Sequence, residues 1–507
     1  MEPWLRPLFD ASGMRAADAW AIDEQGVPSL QLMEAAGRAL AEVTRDLAGD
    51  GPIRVVCGKG NNGGDGLVTA RLLSELGFDV DVLLLWPADE LSPDASANLK
   101  RLPVEPVRLP PGDAAQALAG SGAIVDAIFG TGFAGSPRTP AREAIVAMNA
   151  AGAPVVAADI ASGVDASTGE VEGVAVRASA TVTFHAAKLG HRVAPGKAHT
   201  GALHVAPIGI PDGAPASPAA GEITGDVLAG LPRRGPASTK FTSGQVIVLG
   251  GSRGLTGAVC LVASAAIRAG AGYATALVPA SLEPIFEVKL TEVMTRALPD
   301  REGAFSEAAA DDALAAAERA DALVVGPGLG RSGGAFAVAR AVARAAAAPL
   351  VLDADGLNAH AGELEALAER EAPTVLTPHA GELARLLGIE SAEVNARRLE
   401  CARRAAVAAR AIVVLKGDDT LVVDGRSGEV AVSALASPAL ATAGTGDVLA
   451  GTIGALIARG VPPLRAACAG VHAHQRAGAI AARRVGSAES VIATDVVAAL
   501  AEGLRRP

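Results

Sequence analysis

The stretch AGTGDVLAG, residues 443–451, decides the fold of the second half of this chain. Its glycines predict a turn that leads into an apolar helix, with Asp447 in the first turn of that helix. Free backbone N–H groups at the start of a helix attract phosphate, and an acid beside them can take a proton from a substrate hydroxyl. This arrangement is typical of small-molecule phosphotransferases and of enzymes descended from them.

Seven of these residues recur as TGDVLAG at positions 224–230, so the string alone does not define a site. Leu231 and Pro232 follow this copy, and a proline there ends a helix after about two turns. No strand and no other site motif is expected before it. We therefore predict a linker helix with Asp226 as a helix cap, and we retain Asp447 as the candidate catalytic acid.

The composition limits the class of protein. A chain of 507 residues is too long for one ordinary core, and about two to four domains are expected. No apolar run approaches the roughly 20 residues of a membrane-spanning helix, and residues 1–10 lack a signal-peptide pattern. The four cysteines lack CxxC spacing, which argues against a zinc framework. The net charge is −11 and the chain has no basic run, which argues against nucleic acid as a partner. We expect a soluble cytoplasmic protein with no membrane partner.

Short β-branched runs alternate with longer helical stretches, which predicts two α/β domains with parallel sheets. The predicted strands of the first half are 53–57, 79–85, 123–127, 154–158 and 181–184. Those of the second half include 245–249, 322–326, 349–353, 374–377, 411–415 and 420–423. Residues 210–221 are too rich in proline and glycine for a helix or a central strand, so we place the boundary there. The predicted domains are residues 1–215, Rossmann-like with three α/β/α layers, and residues 222–507.

A glycine-rich segment, KGNNGGDG at 59–66, follows the first predicted strand, and a helix is expected from Leu67. Glycines let the backbone approach a ligand closely, so the segment indicates a phosphate or pyrophosphate cradle. It matches neither the Walker A nor the GxGxxG pattern. The alternative is an ordinary tight turn between a strand and a helix.

Acidic residues stand at the ends of two further strands of the first half, at Asp126 and Asp159. The carboxyl ends of parallel strands face the ligand crevice. Oxygen atoms from Asn62, Asp126 and Ser162 could together hold a hard cation. For each aspartate taken alone, capping a loop or a helix is as good an explanation.

Four motifs of the first half, KGNNGGDG, DAIFGTGFAGSPR, DIASGVDASTG and TFHAAKLGH, together resemble the YjeF N-terminal family over about residues 14–211. Its members are epimerases of the hydrated dinucleotides NADHX and NADPHX. One departure is Ala161, which replaces the proline of the usual Asp-Ile-Pro-Ser-Gly and removes no functional group. The resemblance implies a potassium ion at Asn62, Asp126 and Ser162, and a reacting centre at Asp159 with Lys188 as its candidate partner. The alternative for Lys188 is a surface lysine. The residues implied to contact the dinucleotide are Asn61, Asn62, Gly63, Gly64, Asp65, Gly130, Thr131, Gly132, Phe133, Ala134, Gly135, Ser136 and Asp159.

In the second half, glycine turns follow the strands at 245–249 and 322–326, and each is weak evidence alone. Asp355 is expected to cap the next helix. His379 and Glu382 fall at a helix start, where a histidine is more often a packing or capping residue. Lys416 ends a strand, where it can meet phosphate as a point charge and form a hairpin clamp on a nucleotide. Its alternative is an ordinary hairpin tip.

The motifs GGSRGLTGA, GPGLG, TPHAGE, KGDDT and ATAGTGDVLAG, in this order, resemble the YjeF C-terminal family over about residues 222–501. These are ribokinase-like dehydratases of (6S)-NAD(P)HX that use ADP, or ATP in its place, with magnesium. The resemblance implies that Asp447 is the base that activates the C6 hydroxyl. Residues 433–441 depart from the family's usual Asn-x-Gly-Asn-Pro-Gly-Met-Ala, and Ser238-Thr239-Lys240 departs from its early Ser-His-Lys. The residues implied to face the hydrated dinucleotide are Ala258, Gly328 or Gly330, His379 and Asp447. The residues implied to hold the adenine nucleotide are Lys416, Gly417, Asp418, Asp419, Thr420 and Gly446.

Together the two halves predict a bifunctional repair enzyme, which we expect to be a homo-oligomer. One half would equilibrate R- and S-NAD(P)HX, and the other would dehydrate the S form to NAD(P)H at the expense of ADP, forming AMP and phosphate. The alternative is a ribokinase-like kinase of a vitamin precursor, whose first half serves as a nucleotide-binding or oligomerisation module. Such a kinase has no reason to carry KGNNGGDG.

Overall fold

The computed structural model describes residues 1–506, which divide into two compact units. One unit is Pro7–Ala220, and the other combines Met1–Arg6 with the chain from Gly221 onward. The second unit therefore includes a segment that we had expected in the first domain. In it, strand β1 (Leu5–Leu8) lies at the edge of a sheet beside β9 (Ala220–Ile223).

The first unit is built on a seven-stranded parallel sheet in the order β4-β3-β2-β5-β6-β7-β8. Its strands are β2 (Ile53–Cys57), β3 (Val80–Leu84), β4 (Val107–Arg108), β5 (Ala123–Ala127), β6 (Val155–Ala158), β7 (Ala180–Phe184) and β8 (Ala202–Ala206). Its helices are α1 (Ala11–Ala19), α2 (Ser29–Leu47), α3 (Asn61–Glu75), α4 (Pro93–Leu99), α5 (Ala114–Leu118), α6 (Ala141–Ala150) and α7 (Lys197–Thr200).

Two apolar cores lie on the opposite faces of this sheet because successive strand residues point to opposite sides. On β2, Val55 packs in a core with helices α2 and α3, whereas Val56 packs in a core with α5 and α6. The unit therefore has three layers, as predicted. The chain order changes direction between β2 and β5, and parallel α/β sheets bind their ligands at such a point.

The second unit contains an eleven-stranded sheet in the order β1-β9-β20-β19-β18-β17-β16-β15-β10-β11-β12. The pairs from β12 through β10 to β18 are parallel, and β19 is antiparallel to both neighbours. Its other strands are β10 (Gln245–Leu249), β11 (Tyr273–Pro279), β12 (Met294–Leu298), β13 (Asp300–Arg301), β14 (Ala304–Phe305), β15 (Ala322–Val325), β16 (Leu350–Leu352), β17 (Thr374–Leu376), β18 (Ile412–Leu415), β19 (Leu421–Asp424) and β20 (Val430–Ser433). Its helices are α8 (Thr256–Arg268), α9 (Glu283–Lys289), α10 (Ala309–Ala317), α11 (Gly333–Ala345), α12 (Asp355–Asn358), α13 (Ala380–Leu387), α14 (Ser391–Ala396), α15 (Arg398–Ala409), α16 (Thr445–Ala458), α17 (Pro463–Val485) and α18 (Ala493–Gly503).

Every predicted strand is present, and the predicted α/β class is confirmed. Two local predictions were wrong. Helix α3 begins at Asn61 and not at Leu67, so most of the glycine-rich segment is helical. The copy TGDVLAG at 224–230 does follow a strand, β9, and forms only the 3-10 helix Gly225–Leu228, in which Asp226 makes no side-chain cap.

Within residues 1–506, no helix is both long enough and apolar enough to cross a membrane. All four cysteines are free, and Cys57, Cys401 and Cys468 are buried. This agrees with their interpretation as small hydrophobic side chains.

Candidate functional sites

A cavity of about 650 Å³ opens at the carboxyl ends of β2, β5 and β6 in the first unit. The sheet brings most of the predicted ligand residues together in its wall. The predicted residues that line it are Asn61, Asn62, Asp65, Gly130, Thr131, Gly132, Phe133, Ala134, Asp159 and Lys188.

Four predicted contact residues, Gly63, Gly64, Gly135 and Ser136, do not line this cavity. A Cβ atom on Gly63 would stand 2.0 Å from the carbonyl oxygen of Gly58, and one on Gly64 would stand 2.6 Å from Met33. Because α3 starts at Asn61, these two glycines let the helix pack closely on its neighbours instead of forming a ligand loop.

Asp159 and Lys188 form a buried ion pair at the back of the cavity. The Lys188 ammonium donates to Asp159 Oδ1 at 2.6 Å, to Thr183 Oγ1 at 2.8 Å and to the carbonyl oxygen of Phe184 at 2.9 Å. Only 1% of the Lys188 surface is exposed, which excludes the surface-lysine alternative. Asp159 also adopts a φ of 65°, a left-handed conformation that is uncommon outside glycine.

The electrostatics keep Asp159 ionised. Burial by itself raises the pKa of Asp159, but the charge and hydrogen bond of Lys188 outweigh burial and lower that pKa. Burial, together with the charge of Lys188, lowers the pKa of His191 to about 3. His191 Nδ1 accepts the Lys188 backbone N–H at 3.0 Å, and Nε2 lies 2.9 Å from the Asp159 carbonyl oxygen, so this neutral ring fixes the backbone of both partners.

Two further carboxyl groups of the cavity have pKa values raised above their usual range. Burial and the charges of Asp159 and Asp18 raise the pKa of Asp65 well above its usual value. Burial, assisted by the charge of Asp159 and opposed by that of Lys188, raises the pKa of Asp18 to about 6. Asp18 lies on α1 outside any motif, so nothing in the sequence indicated its place in the cavity.

Four aromatic residues line the cavity, in a chain with only 3% aromatic residues, and Trp86, Phe129 and Phe133 lie close to one another. The rings of Phe129 and Phe133 stack with centroids 4.5 Å apart, and Trp86 lies 6.2 Å from Phe129. Such a wall suits a flat ring of a ligand. The contact residues implied by the resemblance included Phe133 but not Phe129, although Phe129 stands in the motif DAIFGTGFAGSPR, and Trp86 lies outside every quoted motif.

The predicted cation residues lie behind the cavity and beside it. Asp126 is fully buried and accepts from Ser162 Oγ at 2.6 Å, Ser162 N at 2.8 Å and Ile128 N at 3.3 Å. Burial raises the pKa of Asp126 to about 6, although these hydrogen bonds oppose the shift. Within residues 1–506, the buried Nδ2 atom of Asn62 has no hydrogen-bond partner.

A second charged cluster lies at the carboxyl end of the large sheet, in the second unit. Lys416, directly after β18, donates to Asp353 Oδ1 at 2.9 Å and lies 3.8 Å from Glu382. Asp447 is in the first turn of α16, as predicted, and a Cβ atom on Gly446 would stand 3.3 Å from Lys416 Nζ. The fold therefore brings Lys416 and Gly446 together and adds Asp353, the acid that ends the predicted strand 349–353, for which the sequence indicated no role.

Asp447 has the protonation behaviour of a base that works near neutral pH. Burial and the charge of Asp353 raise the pKa of Asp447 to about 7, while Lys416 opposes this shift. Burial alone would lower the pKa of Lys416, but the carboxylates of Asp353 and Glu382 raise it, so the ammonium stays charged.

The β18–β19 hairpin holds residues 416–420 at this site, as predicted. Asp419 is buried and pairs with Arg398 at 2.8 Å, and the Thr420 hydroxyl donates to the Gly417 carbonyl at 2.7 Å. Both side chains therefore shape the hairpin, whereas Gly417 and Asp418 are exposed at its tip.

The remaining predicted residues form the adjoining turns. A Cβ atom on Gly328 would stand 3.2 Å from that of Ala258, so these two residues lie side by side. The Gly330 N–H donates to Asp355 Oδ2 at 3.1 Å; Asp355 thus binds the turn instead of capping its own helix, contrary to prediction. His379 is the N-cap of α13, where its Nδ1 accepts from Gly381 N at 3.0 Å, and its side chain is 55% exposed.

The chain consists of two regions of known type. Residues 29–190 match the family model described as YjeF-related protein N-terminus, and residues 246–501 match that described as NAD(P)H-hydrate dehydratase. The second unit is also similar to the ADP/ATP-dependent NAD(P)H-hydrate dehydratase of Bacillus subtilis, with 28% identity, a TM-score of 0.47, and coverage of 56% of this chain and 96% of that one.

Relatives with both regions match nearly the whole chain. The chain is 42% identical to the bifunctional NAD(P)H-hydrate repair enzyme of Salinibacter ruber, over 97% of this chain and 95% of the relative. It is 40% identical to the repair enzyme of Moorella thermoacetica, over 94% of this chain and 93% of that relative. It is 34% identical to the repair enzyme of Escherichia coli, over 97% of this chain and 93% of that relative. The chain belongs to the family of bifunctional NAD(P)H-hydrate repair enzymes.

Proposed function

We propose that this enzyme epimerises R- and S-NAD(P)HX in its first unit and dehydrates the S form in its second. The observation that carries the proposal is the full-length match to bifunctional relatives, which spans both the Asp159 cavity and the Asp447 cluster. A vitamin-precursor kinase would account for the second unit alone.

In the first unit, we assign Asp159 to receive a proton and Asp65 to supply one. Asp159 is ionised through Lys188, whereas Asp65 favours the protonated form, so the cavity holds a base and an acid at the same pH. Inversion at the hydroxyl-bearing C6 needs one proton removed and one returned, without any redox change. The aromatic wall of Trp86, Phe129 and Phe133 would hold a flat ring of the dinucleotide.

The residues beside this cavity fit a potassium ion. Asp126 is a buried carboxylate whose hydrogen-bond donors are all neutral, so no protein cation offsets its charge. Asn62, Asp126 and Ser162 would hold the ion, which when bound supplies a positive charge that balances Asp126. The donor set is oxygen-based, as a hard cation prefers.

In the second unit, Asp447 takes the proton of the C6 hydroxyl of S-NAD(P)HX while the terminal phosphoryl group of ADP passes to that oxygen. Phosphate then leaves from C6 and the ring loses a proton, so that NAD(P)H, AMP and phosphate are formed. Lys416 stabilises the transferring group as a point charge, and the N–H groups at the start of α16 face it. His379 and the turns at Gly328 and Gly330 would position the dinucleotide.

Magnesium would bind there largely through the nucleotide. Within residues 1–506, no cluster of three or more His, Cys, Asp or Glu side chains is arranged to hold a metal. Phosphate oxygens would therefore provide most of its ligands, and the ion supplies charge neutralisation when bound.

The test is to incubate the full chain with mixed R,S-NADHX, potassium, magnesium and either ADP or ATP, and to follow NADH absorbance. We expect complete conversion of both epimers, more rapidly with ADP. Asp159→Asn should leave the R form unconverted, and Asp447→Asn should stop conversion while epimerisation, followed by chromatography, continues. If both substitutions leave conversion intact, the assignment of the two sites is wrong.

A further inference from the structure

A cavity of about 370 Å³ in the second unit is lined by six arginines and by no carboxylate side chain among residues 1–506. The remaining wall is largely apolar, with Leu228, Leu231 and Leu504 among its members. The whole chain carries a net charge of −11, so this local excess of positive charge opposes the overall balance. The arginines are Arg233, Arg234, Arg268, Arg459, Arg505 and Arg506.

Three of these side chains are fixed by backbone carbonyl groups. Arg459 donates to the carbonyl oxygens of Ala269, at 2.8 Å, and of Pro232. Arg234 donates to Gly270 at 3.1 Å and Ala271 at 2.9 Å, and Arg506 donates to Leu231 at 3.3 Å. Each guanidinium carries five N–H groups, so donors remain for a ligand.

The other three arginines have no such structural role. Within residues 1–506, the guanidinium groups of Arg233, Arg268 and Arg505 take part in no hydrogen bond or ion pair, and all three residues are exposed. Burial lowers the pKa of Arg459, and the positive charge of Arg234 lowers it further, so these two neighbouring guanidinium groups repel each other.

Capping of helix ends does not account for six charges. The C-terminal ends of α8, α16 and α18 meet at this cavity, and each carries a partial charge of about −0.5. Three such ends neutralise about one and a half of the six charges, which leaves about four and a half positive charges on the cavity wall among residues 1–506. Arginine stays protonated near neutral pH, so the cluster offers a persistent positive charge to an anion.

We propose that this cavity binds an oligophosphate group, either inorganic pyrophosphate or the diphosphate of a nucleotide. Two phosphoryl groups carry roughly three to four negative charges near neutral pH, which matches the uncompensated charge. Guanidinium groups bind phosphate oxygens in pairs. The site differs from the dehydratase centre, because Arg459 follows Asp447 by twelve positions along α16, which is about 18 Å of helix.

The test is a calorimetric titration of the full chain with inorganic pyrophosphate in the absence of magnesium. The variant Arg233→Gln/Arg268→Gln/Arg505→Gln removes three cavity charges that form no hydrogen bond or ion pair with any other residue in the range 1–506. Its matched control is Arg108→Gln/Arg319→Gln/Arg403→Gln, with the same change of charge at exposed arginines outside the cavity. We expect the cavity variant to bind one pyrophosphate fewer per chain, or to bind it at least tenfold more weakly, while the control is unchanged. ADP in place of pyrophosphate distinguishes a nucleotide from the inorganic ion.

Three results would overturn the proposal: unchanged binding by the cavity variant, equal weakening in the control, or displacement of pyrophosphate by equimolar sulfate at matched ionic strength. The melting temperature gives a second readout. Without ligand and at low salt, the cavity variant should melt no lower than the parent protein, because the three guanidinium groups it removes make no hydrogen bond or ion pair among residues 1–506. If the triple variant does not fold, each single substitution carries the same test with a smaller expected loss of affinity.

Discussion

Lys188 uses all three of its ammonium protons within the protein, on Asp159, Thr183 and Phe184. It therefore holds and ionises Asp159 instead of contacting substrate through a free donor. A lysine with this role is sensitive to any change that removes its charge, because Asp159 would remain buried without a partner.

We predict that Lys188→Met lowers the rate of epimerisation at least a hundredfold and destabilises the first unit by about 3 kcal/mol or more. The loss of the cation should also raise the pKa of Asp159. Chromatographic measurement of R-to-S exchange and calorimetric unfolding check both effects. Lys100→Met, at an exposed lysine, is the control and should change neither. Normal epimerisation by Lys188→Met would show that Asp159 needs no counter-charge.

The pKa of about 7 at Asp447 predicts the pH dependence of the dehydratase. The base must lose its proton, so kcat/KM should rise with pH and level off above an inflection near 7. Lys416 lowers this pKa and Glu382 raises it, so Lys416→Gln should move the inflection to higher pH and Glu382→Gln to lower pH. The position of the inflection, not the size of the rate, is the readout. An inflection at the same pH in both variants would contradict the role of Asp447 as the base.

At the scale of elements, α3 depends on the absence of a side chain at Gly63. A Cβ atom there would stand 2.0 Å from the Gly58 carbonyl oxygen, whereas one on Gly60 would meet nothing within 4 Å. We predict that Gly63→Ala destabilises the first unit by about 1–3 kcal/mol, as overpacking does, and weakens binding at the cavity. Gly60→Ala is the matched control and should be close to neutral. Equal melting temperatures for the two variants would show that α3 shifts without cost.

The elements that could be predicted from the sequence are those whose burial in the fold produces a recognisable run of apolar residues. The central strands β2, β5 and β10 are almost wholly buried, so they form short, mainly apolar runs bounded by turns, each with one polar residue (Arg54, Asp126 and Gln245). Strand β9 could not be predicted, since its residues AGEI contain one β-branched side chain and follow a proline-rich segment. The start of α3 was misplaced because three glycines within it disfavour a helix locally, and tertiary packing overrides that preference.

The same distinction applies to the sites. Asp159, Lys416 and Asp447 could be predicted because each stands in a motif at a strand end or a helix start. Asp18 and Asp353 could not be assigned a role, since only the fold brings their carboxyl groups near Asp159 and Asp447. A site whose residues come from two distant segments of the chain can be recognised only in the folded structure, where the sheet brings those segments together.

At the scale of the whole molecule, the two units do not follow the order of the chain. Trp4 and Leu5 are 3% and 7% exposed and belong to the core of the second unit. A fragment that starts at residue 222 would therefore lack part of its own core.

We predict that Trp4→Ala lowers the unfolding temperature of the second unit, with a cost of about 3–5 kcal/mol, and leaves that of the first unit unchanged. Trp20→Ala is the matched comparison, since Trp20 packs against a core of the first unit and should lower only the other transition. Differential scanning calorimetry with and without ADP identifies the second unit as the one that ADP stabilises. If Trp4→Ala lowers only the unfolding transition that ADP does not shift, which is that of the first unit, then residues 1–6 do not belong to the second unit.

Because β1 pairs with β9, strand β1 is synthesised well before the strand beside which it lies in the sheet. Leu5 leaves the ribosome about 215 residues before Ala220, which at typical elongation rates is on the order of 10–40 s. Throughout this interval Trp4 has no core to enter and β1 has no neighbour, although the residues of the first unit are already emerging. Chaperones that bind nascent apolar segments therefore have a defined target in residues 4–8, and slower translation prolongs its exposure.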